Sequence, residues 1–278
     1  MVLIWHGDRW ALSGDHGLGM LSINPLYVLS GLLVGFVVGL TGVGGGSLMT
    51  PLLVMFFGIH PAAAVGTDLF FAAATKSAGT LVHGLAHSVD WRIVMRLAIG
   101  SLPGATLALL FIAGAGISTE QTGLLISLVL GIMLLVTSVS LLFRNQLLAL
   151  AANGPSLPAK GRFLLTVLSG AVLGVLVSIS SVGAGAIGVT VLMVLYPELR
   201  MRRLVGTDIA HAVPLTIVAG IGHWAIGSVD GWMLLSLLIG SVPGILAASA
   251  VAPRIRELPL RLLLAFVLVL TGLRMLFG

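Results

Sequence analysis

The chain has 278 residues, of which 58% are hydrophobic and only 8% charged, with a formal net charge of +5. A soluble domain of this length needs far more Lys, Glu and Asp to cover its surface, whereas a lipid-facing surface needs none, so the composition excludes a water-soluble fold and implies an integral membrane protein. Cysteine is absent, which excludes disulfides and thiol chemistry, and the basic excess reads as membrane topology rather than as affinity for nucleic acid.

Residues 1–24 lack the basic start and unbroken apolar core of a secretory signal, and Gly14, Gly17, Gly19 and Pro25 argue against a span. They are expected to form an extracytoplasmic tail lying on the membrane through Trp5 and Trp10. Apolar segments follow near 25–41, 47–57, 62–84, 93–113, 122–143, 163–181, 186–196, 205–226, 232–251 and 261–277. The second and seventh are roughly half of the ~20 residues needed to cross the hydrocarbon core and read as short or re-entrant helices. Between the fifth and sixth, residues 144–162 contain Asn153-Gly154-Pro155 and Pro158, which break a helix and mark a cytoplasmic linker.

The two stretches that this linker joins, 25–143 and 163–278, are copies of one unit. Val65-Gly66-Thr67-Asp68 returns as Val205-Gly206-Thr207-Asp208, and Gly100-Ser101-Leu102-Pro103-Gly104 returns as Gly240-Ser241-Val242-Pro243-Gly244. His83 with Ser88-Val89-Asp90 returns as His223 with Ser228-Val229-Asp230, always at an offset of 140. The proline of Gly-Ser-x-Pro-Gly is expected to kink both helices at matching depth. Whether the first two segments of a half cross twice or dip in and return, they leave the chain on its starting side, and the remaining three invert it. The predicted fold is therefore an all-α membrane protein of two inverted-topology repeats, about five hydrophobic segments each. Eleven basic residues (Arg92, Arg96, Arg144, Lys160, Arg162, Arg200, Arg202, Arg203, Arg254, Arg256 and Arg261) fall on one side, and Arg9 and Arg274 on the other. The rich side is assigned as cytoplasmic, which leaves the N-terminus outside.

Lys76 belongs to neither side. It lies about halfway along the run from Pro61 to Gly84, where insertion costs roughly 2.5–3.5 kcal/mol, so it must face protein, water or an anion. Its counterpart in the second half is Thr216. A cation kept in one half alone suits a single anion bound near the pseudo-symmetry axis; the plain alternative is an ion pair with Asp68 or Asp208. His83 follows Lys76 by seven residues, on nearly the same helix face and about 10 Å further along. His211, opposite Phe71 in the repeat, follows Asp208 by three, so the two can meet on one face and carry a proton. Asp68 and Asp208 either cap helices with Thr67 and Thr207 or, if the third segment starts at Pro61, lie inside the membrane as acids. The breaks at Gly42-Val43-Gly44-Gly45-Gly46-Ser47 and Ser180-Ser181-Val182-Gly183-Ala184-Gly185 each precede a short helix, whose exposed N–H groups and dipole attract an anion.

These features together resemble the sulfite exporter TauE/SafE family of bacterial membrane transporters, over roughly residues 25–278. The resemblance rests on Gly39-Leu40-Thr41-Gly42-Val43-Gly44-Gly45-Gly46, the paired Val-Gly-Thr-Asp elements, His83 with Ser88-Val89-Asp90-Trp91, and both Gly-Ser-x-Pro-Gly elements. It implies transport of a small sulfur-containing anion such as sulfite, sulfate or an organosulfonate, often described as export from the cytoplasm.

The expected function is a proton-coupled secondary transporter, an exporter in a bacterial cell membrane, working by alternating access. Lys76, Gly44, Gly45, Gly46, Ser47, Thr67, Thr207, Ser180, Ser181 and Gly183 are its expected anion-binding residues. Asp68, Asp208, His83, His211 and His223 are the expected proton carriers. No nucleotide-binding loop is present to power it, no cofactor or metal is called for, and homo-oligomerisation is left open. A passive anion channel is the rival within transport. A membrane-embedded metalloenzyme is the rival outside it, since His83-x-x-x-His87 has the spacing of two ligands on one helix face; Gly227 replaces His87 in the other half.

Overall fold

The computed structural model describes residues 5–6, 9–10, 23–41, 46–114, 118–144, 146–147, 149, 158–251 and 257–277. Most of the N-terminal tail and of the linker, together with Gly42, Gly44 and Gly45, lies outside the described residues. In the tail, two two-residue strands pair antiparallel, with Trp5 opposite Trp10.

The helices are α1 (Pro25–Thr41), α2 (Gly46–Phe57), α3 (Pro61–Leu85), α4 (Trp91–Gly114) and α5 (Thr119–Leu142), then α6 (Ala159–Ser180), α7 (Ala186–Leu195), α8 (Met201–Ala225), α9 (Gly231–Val251) and α10 (Glu257–Phe277). Local chemistry sets their starts. Pro25 and Pro61 open α1 and α3, where the missing N–H is no loss. Asp90 Oδ1 accepts from the N–H groups of Arg92 and Ile93, and Asp230 Oδ1 from those of Trp232 and Met233, so the repeated Ser-Val-Asp caps α4 and α9. Ser118 and Gln121 form a capping box at α5.

Among the described residues, six helices are long and apolar enough to cross a membrane: α4, α5, α6, α8, and most of α9 and α10. The second and seventh segments are short, as expected, with 12 residues in α2 and 10 in α7. At 25 residues α3 has the length to span but carries Asp68 and Lys76.

Glycines dictate how the halves meet. α1 runs parallel to α9, with Gly31 and Gly35 against the backbone of Leu237 and Ser241, and Gly240 and Gly244 against the carbonyls of Val28 and Leu32. α4 runs parallel to α6 in the same way: Gly100 and Gly104 meet Val167 and Ala171, and Gly170 and Gly174 meet Leu97 and Ser101. At each of these positions a Cβ would run into backbone, so small residues here set the helix spacing. Gly-Ser-x-Pro-Gly is thus the seam motif, used once in each half against a helix of the other half.

α3 and α8, which are equivalent at the offset of 140, run antiparallel: Gly66 meets His223, Phe70 meets Gly220, Gly79 meets Ile209, and His83 meets Gly206. α5 and α10 do likewise, with Gly131 against Gly272 and Ser138 Oγ donating to the Ala265 carbonyl at 2.9 Å. The Val-Gly-Thr-Asp elements lock this arrangement. A Cβ on Gly66 would come within 2.6 Å of the Ser228 carbonyl, and one on Gly206 would overlap that of Ser88. Beside them Thr67 Oγ1 accepts from the Asp230 N–H at 3.3 Å, and Thr207 Oγ1 from the Asp90 N–H at 2.9 Å. Glycine admits the turn from the other half, threonine holds it, and aspartate is left pointing inward.

The turn after α3 corrects one reading. α3 ends at Leu85, and His87 has left the helix with φ of 49°, so His83 and His87 share no helix face. Its counterpart Gly227 has φ of 76°. Replacing His87 with glycine is expected to remove the left-handed strain and raise stability by ~1 kcal/mol, read as a higher thermal midpoint in detergent.

Candidate functional site

Asp68 lies two turns into α3 and Asp208 at the same depth in α8, so both are acids within helices rather than caps. Their side chains are 0% and 1% exposed. Asp68 Oδ2 accepts from Thr50 Oγ1 of α2 at 2.5 Å, and among the described residues its other oxygen has no hydrogen-bond partner. Both oxygens of Asp208 are likewise without one among the described residues, and Oδ1 lies against Gly188 in the first turn of α7, where any Cβ would overlap it. Each short helix therefore faces the buried carboxylate of its own half, one through a hydroxyl and the other through bare backbone.

Lys76 stands between them. In the antiparallel pairing of α3 with α8, the level at which a residue faces its own equivalent falls at Ala74 and Thr75, so Lys76 sits within about two residues of the local two-fold. It lies about 12 Å along α3 from Asp68. Lys76 is 8% exposed, and Nζ donates to the Ala184 carbonyl in the break between α6 and α7. Among the described residues it forms no direct ion pair, although its charge acts on Asp68, Asp208 and His211. The counterpart Thr216 instead donates to Ala212 of its own helix at 2.8 Å.

The break itself is built to expose backbone. α6 ends at Ser180, whose Oγ donates to the Leu176 carbonyl at 2.7 Å. Ser181 follows in the left-handed region with φ of 58°, then Gly183 at 123° and Gly185 at 146°. These turns direct the Ala184 carbonyl toward α3. Ser181 Oγ is buried and faces Asp68 without reaching hydrogen-bond geometry.

The histidines occupy three levels. His211 is 1% exposed and its Nε2 is 2.8 Å from Ser101 Oγ of α4. It does not pair with Asp208, because the seam serine supplies its partner. His223 Nε2 donates to the Ser178 carbonyl at 2.8 Å near one end of the bundle, and half-buried His83 donates through Nδ1 to Ser88 Oγ at 2.9 Å near the other. Nδ1 of both His211 and His223 is buried without a partner among the described residues. Ser47 lines an apolar crevice of about 260 Å³ between α1, α2 and α10. Gly46 opens α2. Thr67 and Thr207 accept the N–H groups of the cross-half turns described above through Oγ1. Thr50, Ser101, Ala184 and Gly188 join the cluster from elements remote in sequence. Among the described residues no three of His, Asp and Glu are grouped to hold a metal ion.

Residues 27–275 match the sulfite exporter TauE/SafE family. The chain belongs to that family. A probable membrane transporter protein of Bacillus subtilis, YjnA, is 38% identical over 250 residues, covering 89% of this chain and 98% of that protein. A second from Bacillus subtilis, YdhB, is 28% identical over 79% of this chain and 86% of its own length. One from the archaeon Methanocaldococcus jannaschii, the probable membrane transporter protein MJ0441, is 23% identical over 92% and 96%. No solved structure is significantly similar. This TauE/SafE chain is thus a multi-pass membrane protein whose relatives are named as transporters.

Proposed function

We propose that the chain is a proton-coupled secondary transporter of a small sulfur-containing anion such as sulfite, sulfate or an organosulfonate. It exports that anion across a bacterial cell membrane by alternating access. The carrying observation is the buried ammonium of Lys76, close to the local two-fold and flanked by two carboxylates with unpartnered oxygens. Lys76 binds the anion, assisted by Ser181 and the backbone around Gly183, while Asp68, Asp208 and His211 take up and release protons. His83 and His223 serve the two ends of the path. The antiparallel run of equivalent helices supports reading the halves as inverted-topology repeats that rock about this centre. The arginine-rich end is the cytoplasmic one.

Charge counting gives the coupling its sign. With both carboxylates ionised, Lys76, Asp68 and Asp208 sum to a negative charge that repels an anion; each proton bound shifts the balance the other way. Anion and proton binding are then positively linked, so affinity rises as pH falls. Export runs on the outward gradient of the anion and, for a divalent anion carried with one proton, on the inside-negative potential.

An organosulfonate, whose charge is fixed across the working pH range, is the suitable probe. In proteoliposomes its apparent Kd is expected to fall by up to about tenfold per pH unit, and Asp208→Asn to flatten that dependence. Saturable flux that responds to an imposed pH gradient supports the carrier. Flux that neither saturates nor responds would assign a passive channel instead.

A further inference from the structure

The arginine-rich end holds a cavity of about 390 Å³ between the first turns of α4 and α6 and the segment after α7. Arg92, Arg96 and Arg162 line it. Its two acids are already engaged: Glu198 pairs with Arg162, and Asp90 with Arg203 at 3.0 Å. Tyr196 organises the guanidinium groups. Its hydroxyl accepts from Arg96 Nη1 at 3.3 Å and donates to Thr166 Oγ1 at 2.8 Å, and its ring lies 5.4 Å from the Arg162 guanidinium carbon. Among the described residues Arg162 Nε is buried without a partner. The N-terminal ends of two long helices, α4 and α6, add their positive dipole ends to the same space.

The duplication supplies an internal control. Positions equivalent to Arg92, Arg96, Tyr196 and Glu198 are Trp232, Ser236, Phe56 and Gly58. The counterpart positions in the other half thus carry no such polar network, so the repeated architecture does not by itself require it.

We propose that this cavity binds a phosphate-type oxyanion at a site separate from the Lys76 cluster. A lipid headgroup or a free ion in the aqueous phase can supply that group. The surroundings favour the lipid: the Arg96 guanidinium carbon lies 5.9 Å from the ring of Phe163, which is 44% exposed, and Trp91 at the start of α4 is 57% exposed. Guanidinium groups beside exposed aromatic rings match the level of headgroup phosphates.

The test uses full-length protein, delipidated in neutral detergent, with native mass spectrometry and thermal unfolding as readouts. Phosphatidylglycerol, phosphatidylcholine and inorganic phosphate are the probes. Phosphatidylglycerol is expected to bind and raise the thermal midpoint where phosphatidylcholine does not, and its affinity to weaken about fivefold for each arginine removed in Arg92→Gln and Arg92→Gln/Arg96→Gln. Arg92 is exposed and stands outside the Tyr196 network, so loss in the single variant reports the site and not misfolding. Stabilisation by inorganic phosphate alone, with the same arginine dependence, assigns the site to a free oxyanion. Phosphatidylglycerol and phosphate binding no tighter than phosphatidylcholine, or binding that both variants leave unchanged, overturns the proposal.

Discussion

Lys76→Met is expected to lower anion transport by about 100-fold or more while leaving a protein that inserts and purifies as well as the wild type. Losing one partner of a buried, hydrogen-bonded charge pair costs ~2–5 kcal/mol, and a bound anion would lose its one formal counter-charge in the membrane interior. The fold loses little. Among the described residues Lys76 makes one hydrogen bond, to the Ala184 carbonyl, and no direct ion pair. Methionine keeps the length of the side chain and removes an insertion cost of roughly 2.5–3.5 kcal/mol, which offsets the lost bond. Thr216 shows that the equivalent place in the second half is filled without a cation. Lys76→Arg is the companion variant: it keeps the charge but presents a planar fork, so partial transport with altered anion preference is expected. Proteoliposome flux and thermal midpoint, measured together, decide the matter. Wild-type flux in Lys76→Met would remove Lys76 from the anion path.

The elements were legible because each is a continuous apolar run and because every run appears twice. A start at Pro61 was one of two readings, the one that puts Asp68 too deep to cap, and α3 does start there. Glycine positions were legible only as recurrences. Their reason, that Gly100, Gly104, Gly240 and Gly244 each admit a helix of the opposite half, depends on which helices become neighbours. The same limit governs the site. Lys76, Asp68, Asp208 and His211 stand out as polar groups in apolar runs, but their partners Ala184, Thr50, Gly188 and Ser101 come from four other elements and are ordinary residues where they stand. His211 and Asp208 have the spacing to pair, yet spacing along one helix says nothing of Ser101 arriving from α4. His83 and His87 fail as a pair because the helix stops between them, at a left-handed turn that glycine marks plainly in the other half. Thr67 and Thr207, chosen for their place beside the acids, also hold turns of the opposite half, whose N–H groups their Oγ1 atoms accept.

Gly240→Val is expected to prevent stable assembly, with little protein recovered as a single species in detergent. In the parallel seam of α1 and α9 a Cβ at this position would overlap the carbonyl of Val28, which is fixed in the ladder of α1 and cannot turn aside. The helices must separate. Overpacking of a well-filled contact costs ~1–3 kcal/mol where side chains can shift, and the cost here lies at or above the upper end because the obstacle is backbone. Separation also strips the dispersion contacts that hold membrane helices together without a hydrophobic drive. α1 belongs to the first half and α9 to the second, so the damage falls on the union of the halves and not on one helix. The equivalent Gly100→Val should do the same through Val167 in the seam of α4 and α6. Gly114→Ala is the control, since no described residue lies within 4 Å of the added methyl. Size-exclusion profiles of the three variants test the argument. Monodisperse Gly240→Val with a thermal midpoint like that of Gly114→Ala would mean that the seam yields, and that the spacing of the halves is set elsewhere.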